Sequence, residues 1–255
     1  MRTSAARTGS TPSSASRIDL AAALQAARAL VENPDDTSKV FTILEALGGR
    51  TAERVARRFA ADPTGARLLR EQPDIVPLLA DRETLRRMPE GSLARAYLDF
   101  VESEGITADG LVAASKEGHQ KDRKYPPEQA WVRKRLRDTH DLWHATNGYK
   151  GDVLGEIAQL AFILPQTRNP ALALIILAAL LRYRSRASFS LITAGFRRGL
   201  RAQWLPAQDW ESLLALPVDE VRRRLGVGDP PQYVPLRSSE LRAMGVIGTV
   251  RPAAA

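Results

Sequence analysis

Residues 140–156 read His140-Asp141-Leu142-Trp143-His144-Ala145-Thr146-Asn147-Gly148-Tyr149-Lys150-Gly151-Asp152-Val153-Leu154-Gly155-Glu156. On a helix, residues four apart share a face, so His140 and His144 stack one turn apart, with Asp141 beside His144. Val132 and Leu136 lie on the same row upstream, which makes the row apolar and predicts that both imidazoles point inward. A buried ring without a partner is costly. A metal ion satisfies both rings, and so does a hydrogen-bonded core pair; composition and spacing leave both open.

Glu156 is the next candidate ligand. On one straight helix it would lie about 18 Å from His144 and could not share an ion with it. Asn147-Gly148, however, is a helix stop, and Gly151-Asp152 is a helix start with Asp152 as N-cap. The chain is therefore predicted to reverse between two antiparallel helices and to bring Glu156 back on the first turn of the second. Two imidazoles and two carboxylates then surround one point, the logic of carboxylate–histidine sites in helical bundles. A zinc protease would need glutamate directly after the first histidine. Asp141, with its shorter reach, stands there instead.

Outward from this stretch the pattern stays helical. Asp19 reads as the N-cap of a helix to about Val31, with Leu20, Leu24, Ala27 and Val31 on one face. Another helix runs from about Thr37 to Leu47, and Thr51 can cap a third. Ser92 to Val101 carries Leu93, Ala96, Tyr97 and Phe100 on one side. Gly105 to Gly110 reads as a break, and His119 as a solvated residue of a polar loop. Tyr125-Pro126-Pro127 opens a further helix. Period-two alternation is scarce, with Val246 to Val250 the best strand candidate. Roughly ten helical segments with short links point to one all-α, multi-helix domain over residues 18–228. A disordered tail is expected at 1–17 and an extended C-terminal arm at 229–255.

Composition narrows the chemistry. The 255 residues contain no cysteine, which excludes disulfides, thiol nucleophiles and thiolate metal sites, and only three histidines. The net charge is +8. Residues 1–17 hold three arginines and residues 157–208 hold seven, both without an acid, so the remainder is at −2. The arginines alternate with aliphatic residues and no recognition motif appears, so a nucleic-acid partner is not expected. The tail lacks the apolar run of a secretory signal and reads as a flexible or transit-like segment. Ala171 to Leu181 is the strongest apolar run, about half the ~20 residues of a membrane span. It reads as a buried or membrane-surface helix. Arg182, Arg184 and Arg186 follow it, suited either to the helix dipole or to acidic lipid headgroups. Leu160, Leu164 and Ile175 belong to apolar stripes that suit a core, or the wall of a lipid-binding channel. Tyr149 and Lys150 in the turn are candidate contacts for a ligand carboxylate.

His140-Asp141-x-x-His144, eleven residues, then Glu156 resembles the signature of the fourth coenzyme-Q (ubiquinone) biosynthesis protein family. Arg137-Asp138-Thr139, Gly148-Tyr149 and Asp152 to Glu156 agree with it. So do Arg67-Leu68-Leu69 with Pro73, Met88 to Ser92, Tyr97 with Phe100, Gly195 to Gly199 and Pro217 to Gly226. The likeness spans about residues 38–228. Thirty-one arginines against six lysines suggest a bacterial relative.

The resemblance implies an all-α fold with a divalent metal held by His140, Asp141, His144 and Glu156, zinc first, manganese or iron as alternatives. It implies a lyase acting in ubiquinone biosynthesis: oxidative decarboxylation at ring carbon one of a polyprenylated 4-hydroxybenzoate-type precursor, with Asp141 and Glu156 able to shuttle protons. It also implies a peripheral membrane protein, a homodimer, working with other quinone-biosynthesis enzymes. The expected location is cytoplasmic on the inner plasma membrane, or the matrix side of the mitochondrial inner membrane in a eukaryote. The rival function is a non-catalytic lipid-binding scaffold that organises such a complex. A His-Asp phosphohydrolase would need His119 and Asp152 as ligands and fits poorly.

Overall fold

The computed structural model describes residues 19–32, 37–48 and 50–243. It is an all-helical single domain, with no strand among the described residues and one isolated bridge between Ser92 and Pro217. The helices are α1 (Leu20–Glu32), α2 (Thr37–Gly48), α3 (Thr51–Ala61), α4 (Pro63–Glu71), α5 (Val76–Ala80), α6 (Arg82–Arg86), α7 (Leu93–Ser103) and α8 (Ala108–Asp122). They continue as α9 (Pro127–Asp138), α10 (His140–Asn147), α11 (Val153–Thr167), α12 (Pro170–Arg182), α13 (Arg186–Arg201), α14 (Trp210–Leu213), α15 (Val218–Leu225) and α16 (Ser238–Ala243). No described helix is long and apolar enough to cross a membrane.

Local chemistry sets most of these ends. Asp19, Asp62, Asp81, Ser92, Thr107, Asp152, Asn169 and Ser185 each accept a first-turn N–H with the side chain. Gly148 closes α10 and Gly226 closes α15 in the left-handed region, φ 79° and 65°, which glycine adopts without cost.

Several expectations are corrected. The buried face of α1 is Ala23, Ala26 and Ala27, while Leu20 and Leu24 are exposed: the apolar stripe is wider than the surface α2 and α12 offer it. Thr51 is the first residue of α3 and not its cap. Gly110 lies in the first turn of α8, because Thr107 caps that turn, and His119 lies on α8 rather than in a loop. The helix leading into the histidines is interrupted at Thr139, whose hydroxyl bonds the Arg135 carbonyl at 2.8 Å, a local competition that bends helices. Val246 to Val250 and residues 1–17 lie outside the described residues. Residues 229–237 run without regular structure and lead into α16.

Two apolar cores meet at α11. Leu154, Ala158 and Phe162 face the larger one, with Tyr97, Leu142, Trp143 and Trp210. Ile157 and Ala161 face the second, with α1, α2 and α12. A third, smaller core joins α3, α4 and α9 around Phe59. Being apolar on all sides, α11 sits in the interior.

The helix α13 lies tight along α11 through Gly195 and Gly199, four apart on one face. A Cβ at Gly195 would stand 2.5 Å from the Ala158 carbonyl oxygen, and one at Gly199 would meet the Phe162 carbonyl oxygen. We expect Gly199→Ala to lower stability by about 1–3 kcal/mol through forced separation of the two helices. Urea unfolding measures it, and an unchanged midpoint would refute the close-approach account.

Candidate metal centre

The helix α10 carries both histidines, and adjoining faces of it do different jobs. Trp143 packs edge-on against Phe162 and beside Trp210, fixing α10 to the main core. That rotation turns His144 toward α7 and the start of α11. His144 is fully buried, and Phe100 of α7 stacks on its ring at 4.9 Å between centroids. His140 packs edge-on to His144 at 4.8 Å and is partly open to solvent.

The turn after α10 completes the arrangement. Gly148 reverses the chain, and the Tyr149 carbonyl lies 3.0 Å from His144 Nδ1. A carbonyl only accepts, so Nδ1 carries the proton, and in the neutral ring Nε2 carries the lone pair. That Nε2 is buried and has no hydrogen-bond partner among the described residues. Leaving it so costs about 1–3 kcal/mol. Its nearest charged neighbour is Glu156 Oε1, at 3.5 Å. Asp152 caps α11 through the N–H groups of Leu154 and Gly155, which sets Glu156 on the first turn, facing back.

Ligand atoms of His140, His144 and Glu156 all lie within 4.8 Å of one another. Asp141 is outside this group: its carboxylate sits 3.3 Å from His140 Nδ1. Burial pushes the Glu156 carboxyl up, but in the metal-free site the positive charge that the His144 and His140 rings carry when protonated, with the His144 hydrogen bond, outweighs it and holds it down at about 2. Burial pushes His140 down, and the Asp141 hydrogen bond with the Glu156 and Asp141 charges raises it above the ordinary histidine value. A lone pair aimed inward, an ionised carboxylate and a second imidazole form a nitrogen–oxygen donor set suited to zinc, manganese or iron. An imidazole whose other nitrogen is held by a carbonyl is the usual form of such a ligand.

The other candidate residues are more scattered. Tyr149 is buried, with its ring beneath the Arg198 guanidinium at 5.1 Å, and serves the site through its carbonyl. The Lys150 side chain is exposed. Leu160 and Leu164 are half-buried against the second core, and Ile175 is buried within it. Leu164 also lines a surface groove of about 400 Å³ with Pro165, Phe196 and Leu200. Arg184 donates its Nε to the Leu181 carbonyl at the end of α12, the helix-end role. Arg184 and Arg186 line a second groove with Leu180, Tyr183 and Phe189.

Sequence reasoning missed the contribution of α7. Phe100 covers His144, and Tyr97 lies buried near Asp141 and under Arg82 at 5.3 Å, its phenol pushed up to about 12 chiefly by burial. The stripe Leu93, Ala96, Tyr97, Phe100 was the available signal, but helical spacing alone does not tell a core stripe from a site wall.

A sequence model of the family described as coenzyme Q (ubiquinone) biosynthesis protein Coq4 matches residues 11–231. The chain is similar to the mitochondrial ubiquinone biosynthesis protein COQ4 of Yarrowia lipolytica, 31% identical over 200 residues covering 74% of this chain and 73% of the relative. It is similar to the mitochondrial ubiquinone biosynthesis protein coq4 of Aspergillus fumigatus, 32% identical over 205 residues covering 76% and 69%. A solved structure of a proposed ubiquinone biosynthesis protein from Nostoc punctiforme superposes with a TM-score of 0.56 at 25% identity, over 82% of this chain and 98% of the other. On the family match and these identities, the chain belongs to the Coq4 family of coenzyme Q (ubiquinone) biosynthesis proteins.

Proposed function

We propose that this chain acts in ubiquinone biosynthesis as a metal-dependent oxidative decarboxylase of a polyprenylated 4-hydroxybenzoate-type precursor: the carboxylate at ring carbon one leaves as carbon dioxide, a hydroxyl takes its place, and molecular oxygen is the two-electron oxidant. The observation that carries the metal is His144: fully buried, its Nδ1 fixed by the Tyr149 carbonyl, its Nε2 unpaired and 3.5 Å from an ionised Glu156. His140, His144 and Glu156 would hold the ion, and Asp141, now hydrogen-bonded to His140 Nδ1 beside them, would have to turn its carboxylate inward to serve as the fourth ligand. Zinc is the first choice and manganese or iron the alternatives. A divalent ion bound there would supply Lewis-acid stabilisation of the charge that develops as carbon dioxide leaves the ring.

The chain's own residues supply the rest. Phe100, stacked on His144, and the buried Tyr97 behind it form an apolar backing that shields this side of the pair from water. Glu156 and Asp141 are the carboxylates able to hold or pass on the protons released as the hydroxyl forms at the reacting carbon. Leu160 and Leu164 point to the route for the isoprenoid tail. Leu177, Leu181 and Phe189 are exposed apolar side chains, and Arg184 and Arg186 lie beside Phe189, which supports a peripheral membrane position for this face. A homodimer and other quinone-biosynthesis enzymes are the proposed partners.

Elemental analysis of purified protein should find about one divalent ion per chain, and His144→Ala should lose it. Loss of one ligand is worth about 2.5–4 kcal/mol, a quarter of a typical structural zinc site, or roughly two to three orders of magnitude in affinity. Carbon dioxide release should return when zinc, manganese or iron is restored in turn. Equal release after complete metal removal would sink the mechanism.

The pH dependence has opposite signs with and without metal. In metal-free protein the raised His140 contributes stability below its ordinary value of 6.5, and loses it as pH rises through the raised value. Glu156 contributes above its ordinary 4.5 and loses that only as pH falls toward about 2. Metal binding needs neutral imidazole. The rise in Tm on adding zinc should therefore be larger at pH 8 than at pH 6; a pH-independent rise would contradict the assignment of His140.

Arg184→Glu combined with Arg186→Glu should weaken binding to anionic lipid vesicles at least about tenfold, at about 1 kcal/mol per charge near the surface. Co-sedimentation with phosphatidylserine vesicles reads it. Binding that ignores both the charge reversal and the anionic lipid would refute the surface assignment.

A further inference from the structure

The segment 229–237 crosses back over the one turn that shapes the metal centre. Tyr233 donates its phenol proton to Asp152 Oδ2 at 2.7 Å and accepts the Lys150 N–H at 2.9 Å. The Leu236 N–H reaches Asp152 Oδ1 at 2.8 Å, and the Val153 N–H reaches the Leu236 carbonyl at 3.0 Å. Arg237 pairs with Glu104 at 3.1 Å, and the same Glu104 accepts the Gly151 N–H. Pro230 covers Gly148 so closely that a Cβ there would stand 2.5 Å from the proline. Arg198 ties the entry to this segment, at Val227, to the Asn147 carbonyl at the end of α10.

These contacts fall on Asn147, Gly148, Lys150, Gly151, Asp152 and Val153, nearly every position of the reversal. The same turn does two things for the proposed ion. Its Tyr149 carbonyl fixes the tautomer of His144, and its Asp152 cap launches the helix turn that carries Glu156. The Asp152 carboxylate is 2% exposed and takes donors from both sides, two from α11 and two from the arm. The turn's own ends leave Lys150 N–H, Gly151 N–H and Val153 N–H without helical partners, and the arm and Glu104 supply acceptors for all three. Burial and the Asp152 bond keep the Tyr233 phenol protonated, so it remains a donor.

We infer that the arm is a clasp in which Tyr233, acting through Asp152 and Lys150, is a positioning residue for the His144–Glu156 pair. This rests on the metal site proposed above. Tyr233 touches neither histidine nor Glu156; it sets the path of the chain between them. Outer partners that fix ligand orientation usually matter 10–100-fold for metal affinity, so a comparable effect is expected here.

The test uses full-length protein, Tyr233→Phe and Glu104→Gln, with Asp62→Ala as a control that removes a helix cap far from the site. Metal-free protein is titrated with cobalt(II) and followed by its visible spectrum, and amide exchange is measured at residues 148–153 without metal. Both clasp variants should bind cobalt at least about tenfold more weakly, with an altered spectrum, and should exchange the turn amides faster. Asp62→Ala should lose stability with cobalt affinity and spectrum unchanged. Faster exchange with unchanged cobalt binding would make the arm a structural strap and overturn the positioning role. Unchanged exchange and binding would overturn the clasp altogether. Wild-type protein that takes no cobalt would overturn the metal site and the positioning role, while exchange at the turn would still decide the clasp.

Discussion

Between α10 and α11 the chain reverses in five residues, with Tyr149 and Asp152 buried, Gly148 and Gly151 partly buried and Lys150 exposed. Where such a turn is covered by other segments, its backbone groups must find partners in them, since water no longer reaches those groups. Here the donors and acceptors come from three places: the Asp152 side chain, the Glu104 side chain on the end of α7, and the returning arm. The His144 ring takes one of the turn's carbonyls. The proposed metal centre is thus built into the same hydrogen bonds that make the reversal possible, and its candidate ligands inherit their orientation from them.

Rigidity reaches the site from behind through α11. The helix is packed on two sides, by Phe162 and Ala158 toward one core and by Ile157 and Ala161 toward the other. Its third side is closed by the glycine face of α13. Glu156 lies on the first turn, where the helix emerges from this packing and its carboxylate is part-exposed. A carboxylate near solvent on a helix gripped from all sides combines access for a ligand with little freedom of position.

Much of this was legible in residues 140–156. The Asn-Gly stop, the Asp152 cap and the return of Glu156 each follow from local chemistry, and local chemistry survives into the fold. What could not be read depends on distant segments. The place of Asp141, beside His140 rather than among the grouped ligand atoms, reflects a choice of side-chain direction that spacing does not fix. Phe100 over His144 needs the packing angle of α7 on α10. Leu20 and Leu24 look like core residues by periodicity, and they are exposed because the partner surface ends at Ala23, Ala26 and Ala27. The 81 positions between Asp152 and Tyr233 leave no periodic trace at all.

That separation gives the centre an order of assembly. During synthesis both histidines and Glu156 leave the ribosome together, within one short stretch, while Tyr233 emerges far later. Domains form progressively as the chain lengthens. A nascent chain therefore owns every proposed ligand well before it owns the segment that secures their turn. On the proposed clasp, the final fastening of the candidate site waits on its last-made part, the segment that ends at Arg237.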